Sequence, residues 1–343
     1  MSKRDQVFAQ MDEIAFLLER GKADRHRTAA FRNAMATVAG LSDADFQQRA
    51  QTHSFESLPG IGKVTATVID QALAGEVPQY RAKATAQAPP FEDTTMYADL
   101  RGDLHSHSNW SDGTVDILKM AHTAQSLGRQ YQALTDHSPR LTVANGLSPE
   151  RLRKQFDVVA AVNRELDTCT LLTGIEVDIL ENGALDQTPE LLQAVDVVVA
   201  SVHWKLRMKS HEMTPRMIAA IANPNTNVLG HCTNKRVITS RGRTTVRPPS
   251  EFDADAVFDA CAAHDVAVEI NSQPARSDPP DDLIVRALEK GCLFSIDSDA
   301  HAPGELSLLD MGAARAQKLG VPPERVVNTW PLDRLRSWLT GGQ

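Results

Sequence analysis

The sequence predicts an α/β protein, with a parallel sheet or barrel behind a small all-α domain. Three observations carry that expectation. From about Leu100 onward, short apolar strands alternate with helical stretches, the signature of parallel β/α architecture. The residues before it read as helices only. The 343-residue length suits one barrel-sized domain plus an accessory module.

The elements follow in order. Residues 6–19 carry Val7, Met11, Ile14, Phe16 and Leu17 near helical period, and "RHRTAAFRNAMATVAGL" extends Ala-rich helix to Gly40. Next comes "LPGIGKVTATVIDQALAG", residues 58–75. "EVPQYRAKATAQAPPFEDTT" lacks periodicity and reads as the join, so the expected division is domain 1–85, linker 86–98 and domain 99–343. Seven strands are expected in "LRGDLHSHS", "YQALTDHS", "LLTGIEVDIL", "VDVVVASVH", "TNVLGH", "VAVEIN" and "LFSIDSDAH". Helical stretches fall at 115–128, 148–167, 214–222, 253–264 and 281–291. Pattern alone leaves a doubly wound open sheet as an alternative to a barrel.

Bulk properties exclude several classes. The net charge of -8 argues against indiscriminate nucleic-acid binding by the whole surface. It is uneven: residues 1–87 hold 11 Lys and Arg against 10 Asp and Glu, so the acid lies in the larger part. The opening residues contain no long apolar run, so neither a secretory signal nor a membrane span is expected there. Cys169, Cys232, Cys261 and Cys292 are scattered without C-x-x-C, which points to reduced thiols in cytoplasm.

The chemistry concentrates at strand ends. "DLHSHSNWSDG" places His105 and His107 two apart, hence on one strand face, with Asp112 following. Asp136 and His137 close the second strand, Glu176 lies in the third, and His203 and His231 end the fourth and fifth. Asp299 and His301 follow the last. In a β/α barrel such ends converge on one rim. Mixed imidazole and carboxylate ligation without thiolate suits Zn, Mn or Fe. Nine donors exceed one coordination sphere and suit two or three divalent ions.

These motifs, in this order, resemble the PHP (polymerase and histidinol phosphatase) metal-dependent phosphoesterases over roughly residues 99 to 339. The resemblance implies a distorted (β/α)7 barrel with a trinuclear site. One metal would take His105, His107, Glu176 and Asp299; a second Asp112, His137 and His301; a third His203 and His231, with Glu176 bridging. It implies a water deprotonated by the cations and a phosphate-ester substrate. Asp136 and Asn271 are candidates for orienting ligands, or for purely structural roles. The acid-free "NKRVITSRGRTTVR" reads as a surface loop whose Lys235, Arg236, Arg241, Arg243 and Arg247 could clamp phosphate, with Arg276 of "SQPARSD" as a further candidate.

"LPGIGK" matches a helix-hairpin-helix turn, in which Gly60, Gly62 and Lys63 would meet a DNA phosphate through backbone N–H groups. Residues 4 to about 81 resemble the amino-terminal domain of family X DNA polymerases, and the carboxy-terminal part most resembles the PHP part of their bacterial members. Two departures matter. Only a short linker stands where the polymerase module would lie, and the Schiff-base lysine of some such domains falls at Val68. The expected function is a metal-dependent phosphoesterase at DNA ends, a 3′-5′ exonuclease or 3′ phosphatase in DNA repair. The alternatives are a small-molecule phosphatase, such as a histidinol-phosphatase, and a non-catalytic metal-stabilised DNA-binding protein.

Overall fold

A computed structural model describes residues 1–240 and 243–341, in two compact units, Met1–Pro90 and Phe91–Gln343. The first contains helices α1 (Lys3–Arg20), α2 (Arg25–Ala39), α3 (Asp43–Thr52), α4 (Lys63–Leu73) and α5 (Gln79–Gln87). Side-chain caps fix three starts: Ser2 and Asp5 form a capping box on α1, Asp24 caps α2 and Ser42 caps α3. On α1, Val7, Met11, Ile14 and Leu18 line up one above another and are buried. Leu18, not Phe16 or Leu17, completes that stripe, because the 3.6 period carries Ile14 on to position 18. The stripe packs with Phe31, Phe46, Phe55 and Ile69.

The join differs from the expected aperiodic linker. It contains α5 and a short helix α6 (Thr95–Asp99), which belongs to the second unit. Only Ala84 of α5 is fully buried, so no apolar period marks that helix in the sequence.

In the second unit seven strands run parallel in chain order: β1 (Gly102–Asp103), β2 (Tyr131–Leu134), β3 (Thr170–Asp178), β4 (Val197–Ser201), β5 (Val228–Leu229), β8 (Ala267–Asn271) and β9 (Phe294–Asp297). Between β5 and β8, β6 (Arg236–Ser240) and β7 (Arg243–Arg247) pair as a separate antiparallel ribbon. This corrects the expected surface loop: Val237, Ile238, Thr244, Thr245 and Val246 are β-branched and favour strand. Arg241 lies outside the described residues.

First and last strands meet through a parallel bridge between Ser106 and Ala300. Asp297 Oδ1 accepts from Leu104 N at 2.8 Å across the same seam. The result is a nearly closed seven-stranded barrel, a distorted (β/α)7 fold. Inside it, Leu104, Tyr131, Leu172, Val197, Val199 and Val228 form an apolar layer. The carboxy-terminal segment plugs the amino-terminal ends of the strands: Val327, Trp330 and Leu335 join that layer, and Trp338 Nε1 donates to Asp265 O. Residues of opposite parity, such as Val198 and Ala200, face the outer helices. The apolar plug at one end leaves the other end for polar chemistry.

Candidate active site

Parallel strands deliver every predicted donor to the carboxyl-end rim, and there the side chains converge on Glu176. This residue sits in β3, its carboxylate buried at the centre. Its Oε2 lies 2.8 Å from His137 Nδ1, 3.4 Å from His105 Nε2 and 3.6 Å from His107 Nε2. Its Oε1 lies 2.9 Å from His231 Nε2 and 3.2 Å from His203 Nε2. Five imidazoles thus surround one carboxylate.

Two further carboxylates complete the ring. Asp299 Oδ1 is 3.4 Å from His107 Nε2 and 3.6 Å from His301 Nδ1. Asp112 Oδ1 is 3.3 Å from His301 Nε2 and 3.5 Å from His137 Nε2. Three groups have donor atoms close enough to share an ion: His105, His107 and Asp299; His107, Asp112, His137 and His301; and His137, Glu176 and His203.

The fit to divalent cations rests on the state of these atoms. Both Glu176 oxygens, both His107 nitrogens, both His231 nitrogens and His105 Nε2 are buried without a hydrogen-bond partner. Leaving so many buried polar atoms without a hydrogen bond is costly. Cations with imidazole and carboxylate preference would satisfy them. Burial favours the neutral acid at Glu176, but His203, His105 and His137 outweigh it and hold the carboxyl well below its usual range. At Asp299, Arg276 and His105 likewise overcome burial. Burial, reinforced by His301 and His137, pushes His107 down to about 4, so it is a neutral donor at physiological pH.

A second layer aims the donors. His105 Nδ1 lies 2.6 Å from Glu269 Oε1, which turns Nε2 toward Glu176. Glu269 also accepts from the backbone N–H of His231. His203 Nδ1 is 2.8 Å from Asp178 Oδ1. Neither Glu269 nor Asp178 is among the residues singled out from sequence. The available signal was parity: Asp178 is two residues beyond Glu176, and Glu269 two before Asn271.

Asn271 Nδ2 donates to Asp299 Oδ2 at 3.0 Å and to Glu269, tying ligand to second layer. Asp136 does something else. Its carboxylate accepts from Ser108 N, Ser108 Oγ, Ser111 Oγ and Gln155 Nε2, so it pins the loop that carries Asp112. Arg276 reaches the centre directly: Nε lies 2.9 Å from Asp299 Oδ2, the side chain is 12% exposed, and Nη1 is buried without a partner. Of the basic segment, Lys235 is half-buried and Arg236 and Arg243 are exposed on the ribbon.

In the first unit, Gly60 has φ +81, which lets the Leu58–Gly62 turn close, and Gly62 caps α4 with extended backbone. A Cβ on Gly62 would meet nothing within 4 Å, so its backbone is open to approach, and Lys63 beside it is exposed. Val68 is buried in the helical core.

Comparison with known proteins agrees with this geometry. The PHP domain model matches residues 103–273, and a helix-hairpin-helix domain model matches residues 2–77. The chain is 35% identical over 240 residues to the DNA polymerase/3′-5′ exonuclease PolX of Bacillus subtilis, covering 70% of this chain but only 41% of that protein. It is 28% identical over 242 residues to a Vibrio parahaemolyticus protein named "Probable phosphatase", covering 67% of this chain and 90% of the relative. Among solved structures, the histidinol phosphate phosphatase of Lactococcus lactis matches with a TM-score of 0.47 and 18% identity, over 65% of this chain and 94% of that one. Motif, barrel and family model coincide: this chain carries a PHP domain, a hydrolase module of the metal-dependent phosphoesterases, preceded by a helix-hairpin-helix domain.

Proposed function

We propose that the protein hydrolyses phosphate esters at DNA ends, as a 3′-5′ exonuclease or 3′ phosphatase of DNA repair. The observation that carries the hydrolytic part is the Glu176 carboxylate among five imidazoles, where the inward atoms of His105, His107, His137 and His231 lack hydrogen bonds. His105, His107, Glu176 and Asp299 would hold one ion, Asp112, His137 and His301 a second, and Glu176, His203 and His231 a third. Zn, Mn and Fe all suit this donor set. Bound there, such ions lower the pKa of water and neutralise charge on phosphoryl oxygens.

The chain's own residues supply the rest. Arg276, fixed on Asp299 through Nε, has Nη1 left to donate to a phosphoryl oxygen. Asn271 holds Asp299 in place. Trp204 follows His203 directly and is 58% exposed, a platform on which a nucleobase can stack beside the centre. The open Gly60–Lys63 turn would dock a backbone phosphate. The likeness to PolX supports the DNA reading.

A second reading has its own support. The Vibrio parahaemolyticus relative named as a probable phosphatase is matched over 90% of its length by 67% of this chain. A small phosphomonoester would then be the substrate. Metal-supplemented full-length protein, assayed on a 3′-labelled oligonucleotide and on p-nitrophenyl phosphate, separates the two. We expect chelator-sensitive release at the 3′ end with higher kcat/KM than on the small ester. The reverse preference would establish the phosphatase reading.

A further inference from the structure

The ribbon of β6 and β7 takes no part in closing the barrel, yet it is tied to the site. Val237 N donates to Ala275 O at 2.6 Å, next to Arg276. Thr233, just before the ribbon, donates through N and Oγ1 to Asp278 on the same loop. Arg247 Nε donates to Asn234 O and closes the ribbon's base.

Its register sorts the side chains. Arg236 stands opposite Arg247, Ile238 opposite Thr245, and Ser240 opposite Arg243. Directly opposed residues share a face, so Arg236, Arg243 and Arg247 lie on one side of the ribbon. Like charges placed directly opposite are destabilising. From Asn234 to Ser250 the sequence holds no Asp or Glu. Burial lowers the Arg247 pKa first, Arg276 and Arg236 lower it further, and Asp278 works against them. The base of the ribbon adjoins the loop that carries Arg276, whose guanidinium touches Asp299. From Arg243 to Arg247 the basic face extends about 13 Å along the strand, too far for one phosphate.

We infer that this face is a second phosphate subsite, which grips the sugar-phosphate backbone of a nucleic-acid strand beyond the ester being hydrolysed. The inference rests on the DNA-end reading and deepens it: the ribbon is what distinguishes a strand from a small phosphomonoester. Arg236 and Arg243 act on the flanking phosphates, and Arg276 on the reacting one.

The test uses the full-length, metal-loaded protein and a short single-stranded oligonucleotide with phosphorothioate linkages, followed by anisotropy over a salt series. The double substitution Arg236→Gln, Arg243→Gln should weaken binding about tenfold and reduce the magnitude of the log–log salt slope by about 1.4, two phosphate contacts' worth for a single strand. The corresponding Lys pair should keep the slope, and metal content per chain should match wild type in both, which separates lost contacts from misfolding. Equal binding by wild type and the Gln pair would overturn the inference, as would wild type failing to bind the oligonucleotide. Equal competition by polyglutamate would also overturn it, since a backbone subsite must prefer phosphodiester. Ribbon-dependent binding without hydrolysis of ordinary DNA would instead sink the DNA-end activity and leave the subsite standing.

Discussion

The metal nest and the Gly60–Lys63 turn both look built for phosphate, but they are specified in opposite ways. In the nest the donors are side chains, and several are held by other side chains: His105 by Glu269, His203 by Asp178, Asp299 by Asn271 and Arg276. In the turn the proposed docking groups are backbone N–H groups, and the side chains matter through what they leave out: a Cβ on Gly62 would meet nothing within 4 Å. The difference teaches where substitutions bite. A nest residue is replaceable only by the same donor at the same place, whereas the turn tolerates anything that keeps its φ and its open face.

The largest expected effect is at the shared carboxylate. Glu176→Gln should lower kcat on a phosphomonoester by more than about 100-fold, beyond the usual 10–100-fold cost of losing an outer partner. It should also reduce metal content by more than one ion per chain, measured by elemental analysis. His137→Ala should cost less in both respects. Equal, mild losses would mean that Glu176 is not shared, and the contrast between nest and turn would weaken. Next comes the second layer. Glu269→Gln should lower metal affinity by about 10–100-fold, read by chelator competition, with the fold retained. No change would show that His105 is aimed by packing alone.

How far the sequence revealed this follows the same division. The convergence of the nine candidate donors was legible because so many His, Asp and Glu at the ends of successive strands are not independent accidents, and parallel topology carries them to one rim. Parity extended to the second layer would have found Asp178 and Glu269 as well. The role of Asp136 was not legible, because the four donors on its carboxylate come from two segments distant from it in sequence, residues 108–111 and Gln155. The ribbon was masked by its charge: arginines interleaved with Val, Ile and Thr read as a loop until pairing gave each a face. The helix Gln79–Gln87 left no apolar period because one alanine is all it buries.

On the rim of the nest, Trp204→Ala should raise KM for a 3′-labelled oligonucleotide about fivefold or more, the loss of one base stack. The same substitution should leave metal content unchanged. An equal rise in KM on a small ester without a base would show that Trp204 shapes the mouth and does not stack. The turn should give smaller, divergent effects. Gly60→Ala forces φ +81 on a residue with a Cβ, costing roughly 1–2 kcal/mol, visible as faster hydrogen exchange in peptides spanning 55–75. Gly62→Ala meets nothing within 4 Å at φ -93, so exchange should stay unchanged and only DNA affinity should fall, if a phosphate docks there.

The smallest expected effect is none at all. Full-length protein incubated with abasic DNA and borohydride should give no covalent adduct. A Schiff base needs a nucleophilic amine desolvated or activated by its surroundings. Val68, at the spacing where an amine would be expected, is 1% exposed and packed in the helical core. Two amines do come near: Lys63 and Lys83 line a cleft of about 460 Å³ together with Val68 and Tyr80. Both are exposed to solvent, so neither gains from desolvation. Electrophoresis after borohydride treatment decides the point. An adduct abolished by Lys63→Ala or Lys83→Ala would show that the cleft activates a solvated lysine, and the helical unit would then carry covalent chemistry of its own. Without an adduct, and with chelator-sensitive hydrolysis, the nest on the barrel rim accounts for all the catalysis.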